Sequence, residues 1–263
     1  MKPVKPVVIK IAETRVDANG VRLMLETLGV SRDTIDKYLS MPEGAETLIE
    51  LAGRLCYESY ELGLNPNVTR IRKESKEYFE NILRRGDGSI QEHGTCSFAL
   101  LNVSRILTHE LARHRVGIAL SQESLRYVRP KELRFWLPDE LTAGQKKAMA
   151  EAVEGSEAAY HDLEGKIPWE KLSMDEKKRI TSALRRILPD GLATHVVWTA
   201  NHRTLRWLIE MRTDPAAEVE IRMVFDQIAQ ILVRDYPLIY QDFVRKDLAD
   251  GTGSWVPTLR SKV

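Results

Sequence analysis

The chain has little of what would take it out of a reducing compartment. It has two cysteines, Cys56 and Cys96, in 263 residues. That is too few for a disulfide framework, and both sit in apolar contexts that predict buried, inert thiols. No apolar run approaches the ~18 residues of a membrane-spanning helix. The N-terminal MKPVKPVVIK lacks the apolar core and cleavage site of a signal peptide, so a cytoplasmic protein without a membrane partner is expected. Neither sign of charge dominates: 39 Lys and Arg against 38 Asp and Glu leave a formal net charge of +1. That balance argues against non-specific nucleic-acid binding. A P-loop and a G-x-G-x-x-G fingerprint are both missing, so any nucleotide is held by another device. The nearest thing to a zinc motif is His109 with His114. One step beyond i+4 turns the two imidazoles about 100° out of alignment, so no metal is expected.

What is present is an ordinary globular composition, 43% hydrophobic and 29% charged, long enough for one large or two small domains. Pro3 to Arg15 and Val21 to Leu28 read as a strand pair turning around Ala18, Asn19 and Gly20. Gly44 to Tyr60 reads as a helix, and Ser75 to Arg85 as another stopped by Gly86. His93 to Val103 reads as a strand, with Ser124 to Val128 and Leu133 to Leu137 as shorter ones. Thr142 with Gln145 and Ser173 with Glu176 form capping boxes that open charged helices, expected on the outside. Asp214 and Pro215 open a helix to about Tyr236. The pattern is α+β, an antiparallel or mixed sheet early in the chain packed with long helices.

Two arginine-bearing segments carry the chemistry. Ala112 to Pro130, ARHRVGIALSQESLRYVRP, holds four arginines in nineteen residues. Its Arg113, His114 and Arg115 end a helical stripe of Val103, Ile106, Leu107 and Leu111, and guanidinium forks suit phosphate. The polar set Ser121, Gln122, Glu123, Ser124, Arg126 and Tyr127 follows at once, which a plain solvated helix end does not need. In the second segment, Arg185 to Arg212, Arg203 and Arg212 share a probable helix. They could pair with Glu210, Glu218 or Glu220, or could close on a polyanionic ligand.

These residues resemble the signature of the flavin-dependent thymidylate synthases: Arg-His-Arg, a spacer, a serine, then Arg-Tyr. Ala52 to Ser59 is similar to the family's Ala-x-x-Cys-x-x-Ser stretch, and Glu92 to Phe98 to its Glu-His-x-x-Phe-Thr-Phe strand. Leu188-Pro189, Trp198, Asn201-x-Arg203, Arg212 and Glu220-Ile-Arg222 follow in the family's order. The resemblance implies a single catalytic domain over 45–245, after an N-terminal region 1–44 and before a tail 246–263.

It also implies the reductive methylation of dUMP to dTMP, with FAD as cofactor and NADPH and methylene-tetrahydrofolate as co-substrates, in a homotetramer whose active sites are shared. Ser59, Thr95, Arg113, His114, Arg115, Asn201, Arg203 and Trp207 match flavin-side positions. Glu110, Gln122, Ser124, Leu125 and Arg126 match nucleotide positions. Arg185 matches an arginine reaching the phosphate from a neighbouring subunit, and Arg212 the arginine against the uracil ring. Arg212 and Ser124 are thus the candidate catalytic pair.

Three positions depart from the family. The spacer Val116 to Glu123 is one residue longer than usual, Glu110 stands for a glutamine, and Trp207 for a histidine or asparagine. An extra residue turns a helix by about 100° unless a bulge absorbs it. UMP in place of dUMP, or flavin and nucleotide binding without methyl transfer, are the alternatives these departures leave open.

Overall fold

The computed structural model describes residues 1–261. In chain order the strands are β1 (Lys2–Pro3), β2 (Val7–Glu13), β3 (Thr95–Ser104), β4 (Ile118–Gln122), β5 (Arg134–Phe135), β6 (Ala193–Asn201), β7 (Phe243–Asp247) and β8 (Gly253–Pro257). The α-helices are α1 (Ala18–Thr27), α2 (Arg32–Leu39), α3 (Ala45–Leu55), α4 (Ser75–Arg85), α5 (Arg105–Leu111), α6 (Ala143–Gly165), α7 (Met174–Leu184), α8 (His202–Arg212) and α9 (Val219–Asp235). The fold is α+β.

The chain divides into two compact units. The first comprises Met1–Ile9, Ala99–Arg115 and Leu120–Trp198; the second comprises Lys10–Phe98, Val116–Ala119 and Thr199 to the C-terminus. Strands β2, β3, β6 and β4 pair in that order in a four-stranded sheet, and each has residues in both units. The Glu123 N–H donates to the His195 carbonyl at 2.9 Å and the Asn201 N–H to the Gly117 carbonyl at 3.0 Å. Partner numbers fall on β6 as they rise on β4, so the two run antiparallel. Along β3, Cys96, Phe98 and Leu100 are buried and the residues between them are half-buried, the two-residue period of a strand.

In the first unit Leu125, Leu133, Phe135, Val153 and Leu192 form a core cluster, and β1 pairs in parallel with β5. Both capping boxes are present, at Thr142 for α6 and Ser173 for α7. Of the 23 residues of α6, Val153 and Tyr160 alone are buried. In the second unit Leu25, Val30, Ile35, Tyr38, Leu51 and Tyr60 cluster. Gly86 closes α4 in the left-handed region at φ 79°, where a residue without Cβ is unstrained.

Several expectations are corrected. Val21 to Leu28 lies mostly in α1, not in a strand. Its inward residues Val21, Met24, Leu25 and Leu28 stand at i, i+3, i+4 and i+7, and Asp17 caps the helix by accepting from the Gly20 N–H at 2.7 Å. Ser124 to Val128 is a turn. The Ser124 carbonyl takes the N–H groups of Tyr127 and Val128 and its hydroxyl that of Arg126, local bonds that outcompete a ladder. Asp214 opens a turn rather than α9, whose N-cap is Glu218.

The sheet is not confined to the early chain: β6 is one of its inner strands, and β7 with β8 forms a late antiparallel hairpin. Ile106, expected in the inward stripe, is exposed. Cys96 is buried as expected, but Cys56 is exposed just past the end of α3. No helix among the described residues is long and apolar enough to cross a membrane.

Candidate functional site

The signature begins on α5. Ser104 caps the helix, accepting from the Leu107 N–H at 3.0 Å, and Leu107 and Leu111 anchor its inward face. The helix stops at Leu111, so Arg113, His114 and Arg115 stand just beyond its end rather than on it. His114 is buried, while Arg113 and Arg115 are exposed. Glu110 is half-buried in the last turn.

The longer spacer does not rotate a helix, because it contains none. Gly117 turns the chain at φ 69°, and β4 follows. A Cβ at Gly117 would lie 2.4 Å from Asn201 Nδ2 and 2.5 Å from Thr204 Oγ1. The turn is tied to the start of α8: the Gly117 carbonyl accepts from the Asn201 N–H, and the Val116 carbonyl from the Thr204 hydroxyl at 2.9 Å. Gly117 thus holds a left-handed conformation, packed against Asn201 and Thr204, that few side chains tolerate.

In the first unit a small concavity is lined by Arg105, Glu123, Leu125, Arg134 and Thr194, among others. Arg105 Nη1, Thr194 Oγ1 and, on β4, Gln122 Nε2 are buried polar atoms without a hydrogen-bond partner. Burial and the neighbouring Arg185 push the Arg105 guanidinium below its ordinary range. A desolvated guanidinium beside a second cation, with unspent donors, suits an anion. Arg105 was not singled out from the sequence; its place at the first turn of α5 gives no periodic signal. Ser124 is half-buried in its turn, and Leu125 is buried. Arg126 lines a separate open concavity of about 540 Å³ with Asp175, Lys178, Arg179 and Ser182.

The second unit holds the remaining candidates. Ser59 lines a cavity of about 410 Å³ shared with Arg54, Arg70, Arg72 and Arg85. Buried Arg54 pairs with Glu50 and donates to the carbonyls of Ser59 and Arg72, pinning that segment to α3. Thr95 opens β3, its N–H donating to the Thr14 hydroxyl at 2.9 Å. Asn201 caps α8, accepting from the Thr204 N–H at 2.9 Å. Arg203 is exposed one residue into the helix and pairs with Glu92 at 2.5 Å. Trp207 is half-buried along α8.

Arg212 ends that helix, in a cavity of about 520 Å³ with Asp214, Ser254 and Val256. Arg203 therefore stands about 14 Å, and Asn201 about 16 Å, from Arg212 along the axis; the helix separates these candidates rather than gathering them. The guanidiniums of the cavity that Ser59 lines suit an anionic pyrophosphate such as a flavin dinucleotide carries. Among the described residues no group of three His, Cys, Asp or Glu is arranged to hold a metal.

Two buried groups escaped the sequence reading. Arg206 faces Asp242 through two 2.8 Å bonds. His202, wholly buried, touches Cys96 and Tyr240, and burial pushes its imidazole down from 6.5 to about 3. The unfolded imidazole takes a proton below about 6.5, whereas the folded one does not until about 3. Stability is therefore full above 6.5 and falls with acid by about 1.4 kcal/mol per pH unit across that window. Urea unfolding from pH 7 to pH 4 is expected to show this slope in the wild type and to lose it in His202→Gln.

Residues 37–238 match the family described as "Thymidylate synthase complementing protein". The chain is 34% identical over 216 residues to the flavin-dependent thymidylate synthase of Mycobacterium tuberculosis (strain ATCC 25618 / H37Rv), covering 80% of this chain and 84% of that one. The flavin-dependent thymidylate synthase of Mycobacterium avium (strain 104) gives the same identity and coverage. That of Mycobacterium sp. (strain JLS) is 35% identical over 221 residues, with 80% of this chain and 84% of its own covered. With the signature segment built around a glycine turn and held to the helix that bears Asn201 and Arg203, the chain belongs to the thymidylate synthase complementing protein family, that of the flavin-dependent thymidylate synthases.

Proposed function

We propose that the protein is a cytoplasmic, homotetrameric flavin-dependent thymidylate synthase that methylates dUMP to dTMP, with FAD, NADPH and methylene-tetrahydrofolate, through a catalytic domain spanning 45–245. The observation that carries this reading is the tie between the signature and α8. The segment leaving Arg113–Arg115 is bonded through Val116 and Gly117 to Thr204 and Asn201, which supports the signature acting together with the start of α8 despite the longer spacer.

In this reading Arg113, His114, Arg115, Ser59, Thr95, Asn201, Arg203 and Trp207 hold the flavin. Glu110, Gln122, Ser124, Leu125 and Arg126 hold the nucleotide. Arg105, with its unpartnered Nη1, joins Arg185 in receiving the phosphate. When bound, the flavin supplies the hydride that completes the methyl group. The Arg212 guanidinium draws negative charge toward nitrogen 3 and the carbonyl oxygens of the uracil. That polarisation makes carbon 5 nucleophilic without an attacking cysteine. The length of α8 between Arg203 and Arg212 supports active sites assembled from more than one chain, since one copy of the helix does not bring both ends to one ring.

Ser124 orients the nucleotide rather than attacking it: its hydroxyl accepts from the Arg126 N–H at 3.3 Å, with no base bonded to it among the described residues. Ser124→Ala is expected to lower kcat/KM for dUMP about ten- to hundredfold, mostly through KM, with residual turnover. Total loss of turnover with dUMP binding intact would contradict the orienting role. Tritium release from carbon 5 of labelled dUMP and UMP, with and without the folate, tests the reading. Folate-dependent release from dUMP is expected. Release from UMP alone would move the substrate to the ribonucleotide, and release from neither would remove the methylation.

A further inference from the structure

In the second unit a hydrogen-bond chain runs from the exposed carboxylate of Glu13 through buried Tyr236, Cys96 and His202 to buried Tyr240. Tyr236 donates to a Glu13 carboxylate oxygen, and the Cys96 thiol donates to the Tyr236 oxygen at 3.1 Å. His202 Nε2 stands 3.8 Å from the Cys96 sulfur, and its Nδ1 stands 2.9 Å from the Tyr240 hydroxyl.

The direction of every bond follows from the end that can only accept. Glu13 is a carboxylate, held below its ordinary range first by Lys10 and then by Tyr236. Tyr236 therefore spends its one proton on Glu13 and must receive the thiol proton. The sulfur, with its proton spent, receives Nε2–H. Nδ1 is then bare and accepts from Tyr240. A single neutral tautomer of His202 satisfies the chain, and the ring is clamped edge-on against Tyr236 and Tyr240, with centroids 4.7 Å and 5.7 Å away.

This lock sits inside the flavin-side set. His202 lies between Asn201 and Arg203, and Cys96 follows Thr95. The His202 N–H donates to the Gly94 carbonyl at 2.9 Å, and a Cβ on Gly94 would come within 2.8 Å of His202 Cδ2. The strand that presents Thr95 and the helix start that presents Asn201 and Arg203 thus meet through one imidazole.

We propose that His202, fixed by the chain from Tyr240 to Glu13, is a positioning residue that sets Thr95, Asn201 and Arg203 in register for the flavin. This rests on the reading that those three side chains contact FAD.

The test uses Tyr236→Phe, which removes the bond to Glu13, and Cys96→Ala against Cys96→Ser. Arg203→Ala and Asn201→Ala serve as direct-contact controls. FAD dissociation constants by flavin fluorescence, the visible circular dichroism of bound flavin, dUMP affinity and the thermal midpoint are measured on the full-length chain. Tyr236→Phe and Cys96→Ala are expected to weaken FAD about tenfold and alter the visible dichroism, with dUMP affinity unchanged and Cys96→Ser recovering most of the loss. If Arg203→Ala weakens FAD while Tyr236→Phe and Cys96→Ala lower only the thermal midpoint, the chain is structural and the proposal falls by itself. Equal losses in Cys96→Ser and Cys96→Ala also overturn it. If neither direct-contact control weakens FAD, the reading beneath falls and takes the proposal with it.

Discussion

Arg212→Ala is expected to lower kcat for dUMP by about 10²–10³-fold, the cost of removing one preorganised charge from a site where charge develops. Arg212 ends α8 and lines a cavity with Asp214, Ser254 and Val256. FAD affinity should stay within about twofold, because Arg212 is assigned to the uracil ring and not to the flavin. Arg212→Lys keeps the charge but loses the planar fork that spans a ring nitrogen and an adjacent oxygen, and should recover only part of the rate. Steady-state kinetics with dUMP checks this. A kcat within twofold of wild type in Arg212→Ala would remove the arginine from the chemistry.

The second large effect concerns stability. Arg206→Ala should cost about 3–5 kcal/mol, because it strands Asp242 without its partner in the interior. Both side chains are at most 2% exposed, and Arg206 also donates to the Ile239 carbonyl at 2.6 Å and lies over the Phe243 ring. It ties α8 to the segment leading into the C-terminal hairpin. The double variant Arg206→Met, Asp242→Leu should regain most of the loss, since no charge is then left buried alone. Chemical denaturation of the three proteins measures it; a single-variant cost under about 1 kcal/mol would mean that water reaches Asp242.

Where local chemistry decides the structure, the sequence was legible. Thr142-x-x-Gln145 and Ser173-x-x-Glu176 satisfy their own helix ends in both directions, and Gly86 stops α4 whatever surrounds it. Where two periods compete, it was not. Val21 to Leu28 carries apolar residues that fit a strand face, and only the cap at Asp17 and the burial of Leu25 settle the helix. Strand β6 buries Val196, Trp198 and Ala200 at the two-residue period, but its neighbourhood of arginines drew attention to ligand chemistry instead.

The candidate site divides the same way. Asn201 and Arg203 sit where an N-cap and first turn put them. The unspent donors of Arg105 and Gln122 are invisible in one dimension because burial without a partner is a tertiary fact. Nothing in the spacing of Cys96, His202 and Tyr236 hints that one bond chain joins them across some 140 positions. The longer signature spacer carried the opposite hazard: counted on a helix it misaligns everything after it, whereas the spacer holds no helix, only a left-handed glycine turn followed by β4.

The measurement that bears most directly on the central claim is mass spectrometry of the nucleotide after incubation of the protein with dUMP, FAD, NADPH and methylene-tetrahydrofolate. The expected result is dTMP, heavier than dUMP by one methylene, formed only when both folate and reductant are present. Unchanged dUMP from a protein that has bound its flavin would contradict it.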